Sequence, residues 1–351
     1  MQTSARAARL VAIGLMLAAA GAAGTAGVAS RASVASRAGV VSLAGAAGLR
    51  SGSAPVPAPA PPAAHPASAA PAAPVGQAAD YAVRLARPAA AGEKRLAVGS
   101  LESDDHLAGK KAGAASDQRQ TATIHYVVAT EILEVSARGN ALQATLTVRR
   151  LTKESGGVTL ELAKPGAVVS ARLVGRERVF ELAGARLAPD LQTALAAALP
   201  LHADDEPTDD DLFGTTRRRR VGESWPANVE LFARFGAASV TFDPKDVAGT
   251  VTLAAVKPVH GEPCLEVRWK LEARHGAFKA GSLPLGFSGA TSSMAVTGAA
   301  LVPVAPALPP AGRETAITAI ADISGANDGG ASVSLHHELR QVVRVELSKI
   351  P

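Results

Sequence analysis

Six carboxylates crowd eight positions of the chain: Asp204, Asp205, Glu206, Asp209, Asp210 and Asp211. Oxygen ligands at that density suit a hard cation such as calcium. The spacing, however, lacks the alternate-position ligands and central glycine of an EF-hand loop. Four arginines, Arg217 to Arg220, follow directly. The expectation is an exposed, charge-balanced loop over 203–220 whose acids pair loosely with those arginines.

Other chemistry-bearing types are scattered. His336-His337 precedes Glu338, but neighbours on a strand point to opposite faces and do not share one ion. His337 takes the apolar phase and reads as a core histidine bonded to backbone. Gly286-Phe287-Ser288-Gly289 is one residue short of a GxSxG nucleophile elbow. Neither a phosphate-binding glycine loop nor an HExxH pair occurs. The lone Cys264 excludes an internal disulfide framework and a four-thiolate zinc site; it opens a strand in the polar-face phase. No catalytic residue, metal site or cofactor is predicted.

The aromatic side chains are more informative. Trp225, Phe232, Phe235, Trp269 and Phe287 all fall in the second half of the chain. They mark either its packed core or the wall of an apolar pocket, and they are the candidate ligand-binding residues.

The elements that position them read as strands. Leu265, Val267, Trp269, Leu271 and Ala273 alternate with Glu266, Arg268, Lys270 and Glu272, which predicts one face on a core and one in water. Leu142, Ala144, Leu146 and Val148 repeat the pattern. Ile124, Tyr126 and Val128 do so too, with a phase change near Glu131 that predicts a bulge. From Val333 through Leu335, His337, Leu339, Gln341, Val343 and Val345 to Leu347, one phase holds over 15 residues. Globular strands are typically about 5–6 residues, so long, curved strands are expected. Arg138-Gly139-Asn140, His260-Gly261-Glu262-Pro263 and the Gly325–Gly330 stretch read as hairpin loops. Helix signals are few: Asp190 is placed to cap a short helix with Leu191, Leu195 and Leu199 on one stripe. The predicted fold is mainly β, a curved antiparallel sheet, half-barrel or barrel-like, with one to three short helices. Matching rhythms around the Gly139 and Gly261 turns suggest two related halves, 80–200 and 217–351.

The N-terminus carries an address. Arg6 and Arg9 precede an apolar core, Leu10 to Ala20, and small residues through Ser30, the order of a secretory signal over 1–29. Hydrophobicity fades after Leu17, so no transmembrane segment is expected. Residues 30–79 are almost wholly Ala, Pro, Ser and Gly and read as a disordered linker before a β-rich domain over 80–351. Of 36 Lys and Arg residues, five precede Asp80, the first acid, which leaves 31 basic against 31 acidic side chains beyond it. A body without net charge offers no long-range pull on phosphate backbones, so a nucleic-acid partner is not expected.

The stretch Asp209-Asp210-Asp211-Leu212-Phe213-Gly214, the basic run, and then Val221-Gly222-Glu223-Ser224-Trp225 resemble secreted bacterial β-rich proteins of unassigned function. In those, an acidic loop precedes a Val-Gly-acid-x-Trp signature that opens the second half of the domain. They are similar in outline to periplasmic lipoprotein-carrier and lipid-binding half-barrels. The resemblance spans about 80–351 and departs from the pattern at the four arginines and the alanine-rich stretches. It implies fold and an exported location, periplasmic, envelope-associated or extracellular; it implies no reaction. The expected function is a non-enzymatic binding protein for a lipid or other apolar small molecule. The alternatives are an interaction domain with a solid core and a hydrolase with a dispersed site.

Overall fold

The computed structural model describes residues 79–111, 114–235, 239–279, 287–326 and 332–350. The expected signal (1–29) and linker (30–79) lie outside the described residues, but for residue 79. So do the nucleophile-elbow look-alike, but for the backbone of its last three residues, and the tip of the hairpin at 327–331.

The described chain is one open antiparallel sheet with short helices against it. The first half supplies β1 (Lys94–Lys111), β2 (Ala114–Val135), β3 (Ala141–Ser155), β4 (Val158–Glu161), β5 (Val168–Val174), β6 (Glu177–Leu182) and β7 (Ala185–Arg186). Two helices follow, α1 (Pro189–Ala198) and α2 (Asp209–Phe213). The second half supplies β8 (Ser224–Pro226), α3 (Val229–Phe235), β9 (Val240–Thr241), β10 (Val247–Val259), β11 (Glu262–Phe278), β12 (Phe287–Pro303), β13 (Gly312–Ala326) and β14 (Ser332–Lys349). The 14 strands are ordered β7-β6-β5-β3-β2-β1-β14-β13-β12-β11-β10-β8, with β4 beside β3 and β9 beside β11.

Most neighbours are consecutive hairpins, but β5 pairs with β3 past the short β4, β8 pairs with β10, β9 pairs with β11, and the first strand pairs with the last. β1 lies antiparallel to β14 from Arg95 opposite Lys349 to Lys111 opposite Val333, so the first and last strands pair at the middle of the sheet. The 18-residue β14 matches the long single phase in its sequence. The ladder of β2 with β3 shifts register between Ile132 and Glu134, beside the predicted phase change. Turns at Gly139 and Gly261 sit where glycine takes a positive φ of 79° and 84°.

Two apolar cores lie along the sheet. One gathers β1–β3, β5, β6, α1 and the end of β14 around Tyr126, Phe180, Leu146 and Leu195. The other gathers β8–β13, α2, α3 and the segment before β1 around Trp225, Trp269, Phe213, Phe232 and Phe242. Leu265, Val267, Trp269 and Leu271 are buried as the alternation requires, and Arg268 and Lys270 are exposed. Two outward residues of β11 depart from the pattern. Glu266 is buried because Lys257 (2.7 Å) and Arg268 (2.8 Å) close over its carboxylate. Cys264 is wholly buried, and burial pushes its thiol pKa up.

Asp190 does not cap α1. The cap position is Ala188, Pro189 starts the first turn, and the Asp190 carboxylate takes the Leu191 N–H (2.9 Å) and Lys153 Nζ (2.5 Å). Leu195 and Leu199 are buried as the stripe predicts.

Candidate ligand site

A partly open cavity of about 220 Å³ lies between α1 and the sheet, bounded by both cores. Period two builds its floor. Gln341, Val343, Val345 and Leu347 occupy alternate positions of β14, and Arg313, Thr315 and Ile317 alternate positions of β13, so both sets face it. Ile132 of β2, Phe180 of β6 and Ala196 and Leu199 of α1 and its C-cap complete an apolar wall. Trp269 of β11 closes the other side. Its ring stacks on Phe213 with centroids 4.8 Å apart and lies 5.2 Å from the Arg313 guanidinium. Register sets the ring's place: Trp269 faces Gly298 across the ladder, and a Cβ there would collide with the indole.

The acidic stretch is not the exposed loop that its charge suggests. Thr208-x-x-Asp211 is a capping box: the Thr208 N–H donates to Asp211 Oδ2 (2.7 Å), and the Asp211 N–H to Thr208 Oγ1 (3.4 Å). That cap turns 209–213 into α2, whose Leu212 and Phe213 are buried. The acids then take separate partners. Asp209 pairs with Arg313, and Asp210 accepts from the Leu85 N–H (2.7 Å). Glu206 is buried against Arg178 at 2.7 Å. Asp204 accepts from Asn140 Nδ2 (2.8 Å) and Ser136, and Asp205 pairs with Arg176. The expected partners turn elsewhere, Arg218 to the Asp80 carbonyl and Arg220 to the Asp80 carboxylate (2.8 Å). Among the described residues no three His, Cys, Asp or Glu side chains group to hold a metal ion.

Charge at the cavity margin is arranged in pairs. Burial pushes the Glu206 carboxyl up and the Arg178 guanidinium down, and each charge opposes the other's shift. His202, on the same wall, is pulled from 6.5 to about 4, chiefly by burial and then by the Arg178 charge. It is therefore a neutral imidazole at ordinary pH.

Of the predicted ligand-binding residues, only Trp269 lines this cavity. Trp225 is buried in the second core, with its indole N–H on the Phe213 carbonyl (2.9 Å) and Arg219 over its ring (5.3 Å). Phe232 is buried in the same core, and Phe235 is half-buried under Arg234. Phe287 begins β12 opposite Gly325, and its side chain lies outside the described residues. His337 is a core residue as predicted, but its Nε2 pairs with the Asp105 carboxylate (2.8 Å) rather than with backbone. Arg87, His202, Arg313 and Gln341 were not singled out. They come from four separate segments, and no local motif unites them.

Among the described residues no helix is long and apolar enough to cross a membrane. No protein-family model matches the chain, and no curated protein matches it. Among solved structures it is similar to Pseudomonas aeruginosa OccK2 (OpdF) in complex with glucuronate, at 9% identity over 73% of this chain and 97% of that one, with a TM-score of 0.16. It is also similar to the P. aeruginosa outer membrane protein OprG, at 7% identity over 76% and 100%, with a TM-score of 0.14. A DUF1329 family protein from Desulfovibrio piger aligns at 7% identity over 73% and 84%, with a TM-score of 0.11. Likenesses at these scores carry no argument about this chain, and the geometry of the cavity stands alone.

Proposed function

We propose that the protein is an exported, non-enzymatic binding protein that holds an apolar or amphipathic small molecule between α1 and the sheet. The observation that carries this is the cavity, lined by aliphatic side chains of β13, β14 and α1 and closed by Trp269. Apolar concavities with a few convergent polar groups are the usual form of small-molecule sites. The exported location rests on the Arg–apolar–small-residue order of the first 30 residues. A non-enzymatic role fits chemistry-bearing side chains that are mostly tied into ion pairs rather than arranged as nucleophile and base.

Native mass spectrometry of the full-length protein, purified from its own cells, tests this reading. The expected result is a retained mass that Ala196→Trp, which fills the cavity from α1, removes without lowering the melting temperature. A wild-type protein that carries no small molecule and binds none when offered alkyl ligands would overturn it.

A further inference from the structure

The cavity lining mixes aliphatic with polar side chains: across the β13–β14 ladder Arg313 lies opposite Val345 and Gln341 opposite Ile317. Six side chains line the cavity with a buried polar atom that makes no hydrogen bond among the described residues, although His202 Nδ1 stands 3.9 Å from the Glu206 carboxylate. They are Arg87 Nε, His202 Nδ1, Asp209 Oδ1, Trp269 Nε1, Arg313 Nη2 and Gln341 Oε1. A buried polar atom left without a partner is destabilising, and native structures hold few of them. Six around one cavity are a set of polar atoms that a polar ligand group could satisfy.

The charges select the sign of that group. Four arginines line the cavity: Arg87, Arg95, Arg178 and Arg313. Arg95 is paired with Glu93 at 2.7 Å, Arg178 with Glu206 at 2.7 Å, and Arg313 with Asp209. Arg87 instead donates to the carbonyls of Pro303 (2.8 Å) and Pro306 (3.4 Å), and forms no ion pair among the described residues. Asp210, which acts on it through space, already accepts from the Leu85 N–H. One positive charge at the margin therefore remains without a bonded carboxylate. The three unpartnered N–H groups of Arg87, Trp269 and Arg313 suit the lone pairs of a carboxylate. The unused oxygens of Asp209 and Gln341 are left to a hydroxyl or bridging water.

Size narrows the tail. Sites for drug-sized ligands run about 300–1,000 Å³, and this cavity, at about 220 Å³, is smaller. One alkyl chain suits that space better than two or three.

Building on the proposed binding function, we infer that the ligand is a single-chain carboxylate of the fatty-acid class. Its chain lies on Val343, Val345 and Leu347, and its carboxylate lies toward Arg87, Trp269 and Arg313.

Calorimetric titration of the full-length protein with decanoate and with decanol separates the two claims. Decanoate should bind one to one and at least about 10-fold tighter than decanol, a difference of about 1.4 kcal/mol. Arg87→Gln should bring decanoate down to the affinity of decanol and leave decanol unchanged. Trp269→Phe keeps a ring over Gly298 and removes the indole donor, and should weaken decanoate more than decanol. Melting curves of both variants exclude loss of fold. Decanol binding as tightly as decanoate, or decanoate affinity unchanged in both variants, would overturn the carboxylate while leaving the binding function in place. If neither compound binds, both readings fail together.

Discussion

Tyr126 faces Gly99 across the β1–β2 ladder, and Trp269 faces Gly298 across β11–β12. In each case a Cβ on the glycine would collide with the ring. Each core thus lays one large aromatic over a glycine of the next strand, and each ring carries a buried polar atom without a partner, Tyr126 Oη and Trp269 Nε1. Their surroundings differ. Tyr126 is enclosed by an aliphatic core of Leu, Val and Ala side chains, and burial raises its hydroxyl pKa. Trp269 stacks on Phe213, lies near Arg313 and borders the cavity. The same backbone device serves packing in one core and a ligand wall in the other; the side chains supplied by α2 and β13 make the difference.

Truncating the two rings should separate these roles most strongly. Tyr126→Ala should cost about 3–5 kcal/mol in urea unfolding, the range for deleting a fully enclosed aromatic. Trp269→Ala should cost less, no more than about 3 kcal/mol, because the opened space joins an existing cavity. Equal losses would mean that Trp269 is an ordinary core residue.

Acid should act on the cavity side. The unfolded chain protonates His202 near pH 6.5, while the folded protein resists until about 4. The stability that the neutral imidazole contributes is therefore complete above pH 6.5 and lost as pH falls toward 4. The loss should reach at most about 3 kcal/mol. His202→Gln should flatten that part of the pH–stability curve; an unchanged difference between pH 7 and 4.5 would contradict the burial of the ring.

The two glycines sharpen the comparison at smaller scale. Gly99→Ala and Gly298→Ala should each cost about 1–3 kcal/mol through overpacking, and only Gly298→Ala should alter ligand binding, because it displaces Trp269. Smallest is Tyr126→Phe, which deletes an unpartnered buried hydroxyl. It should be neutral or stabilising by under about 1 kcal/mol. A clear destabilisation would reveal a partner for that oxygen.

Some of the site was readable in the residues. The single phase from Val333 to Leu347 placed Gln341, Val343 and Val345 on one face, and alternation on β11 placed Trp269 inward. The acidic stretch departs from its charge pattern because the Thr208-x-x-Asp211 cap within it starts a helix. With the helix formed, Leu212 and Phe213 turn inward and bring Asp209 to Arg313. Glu266 deceived in the same way, since its place on the outer face said nothing of the two cations that cover it.

Alternation along a strand is a local property, enforced by backbone geometry at every residue, so the chain alone determined that this is a sheet protein with one wet face and one dry. Tight turns are local as well, and the glycines at 139 and 261 marked them. Strand partners are another matter. Nothing near Lys94 or Lys349 indicates that β1 and β14 lie side by side, because their pairing depends on the register of every hairpin between them. Arg313 and Asp209 are 104 positions apart, and Arg87 reaches Pro303 over 216. Such contacts exist only once the sheet has brought the segments together. The tertiary structure therefore decided where the cavity lies, which arginines are neutralised around it and which one is not.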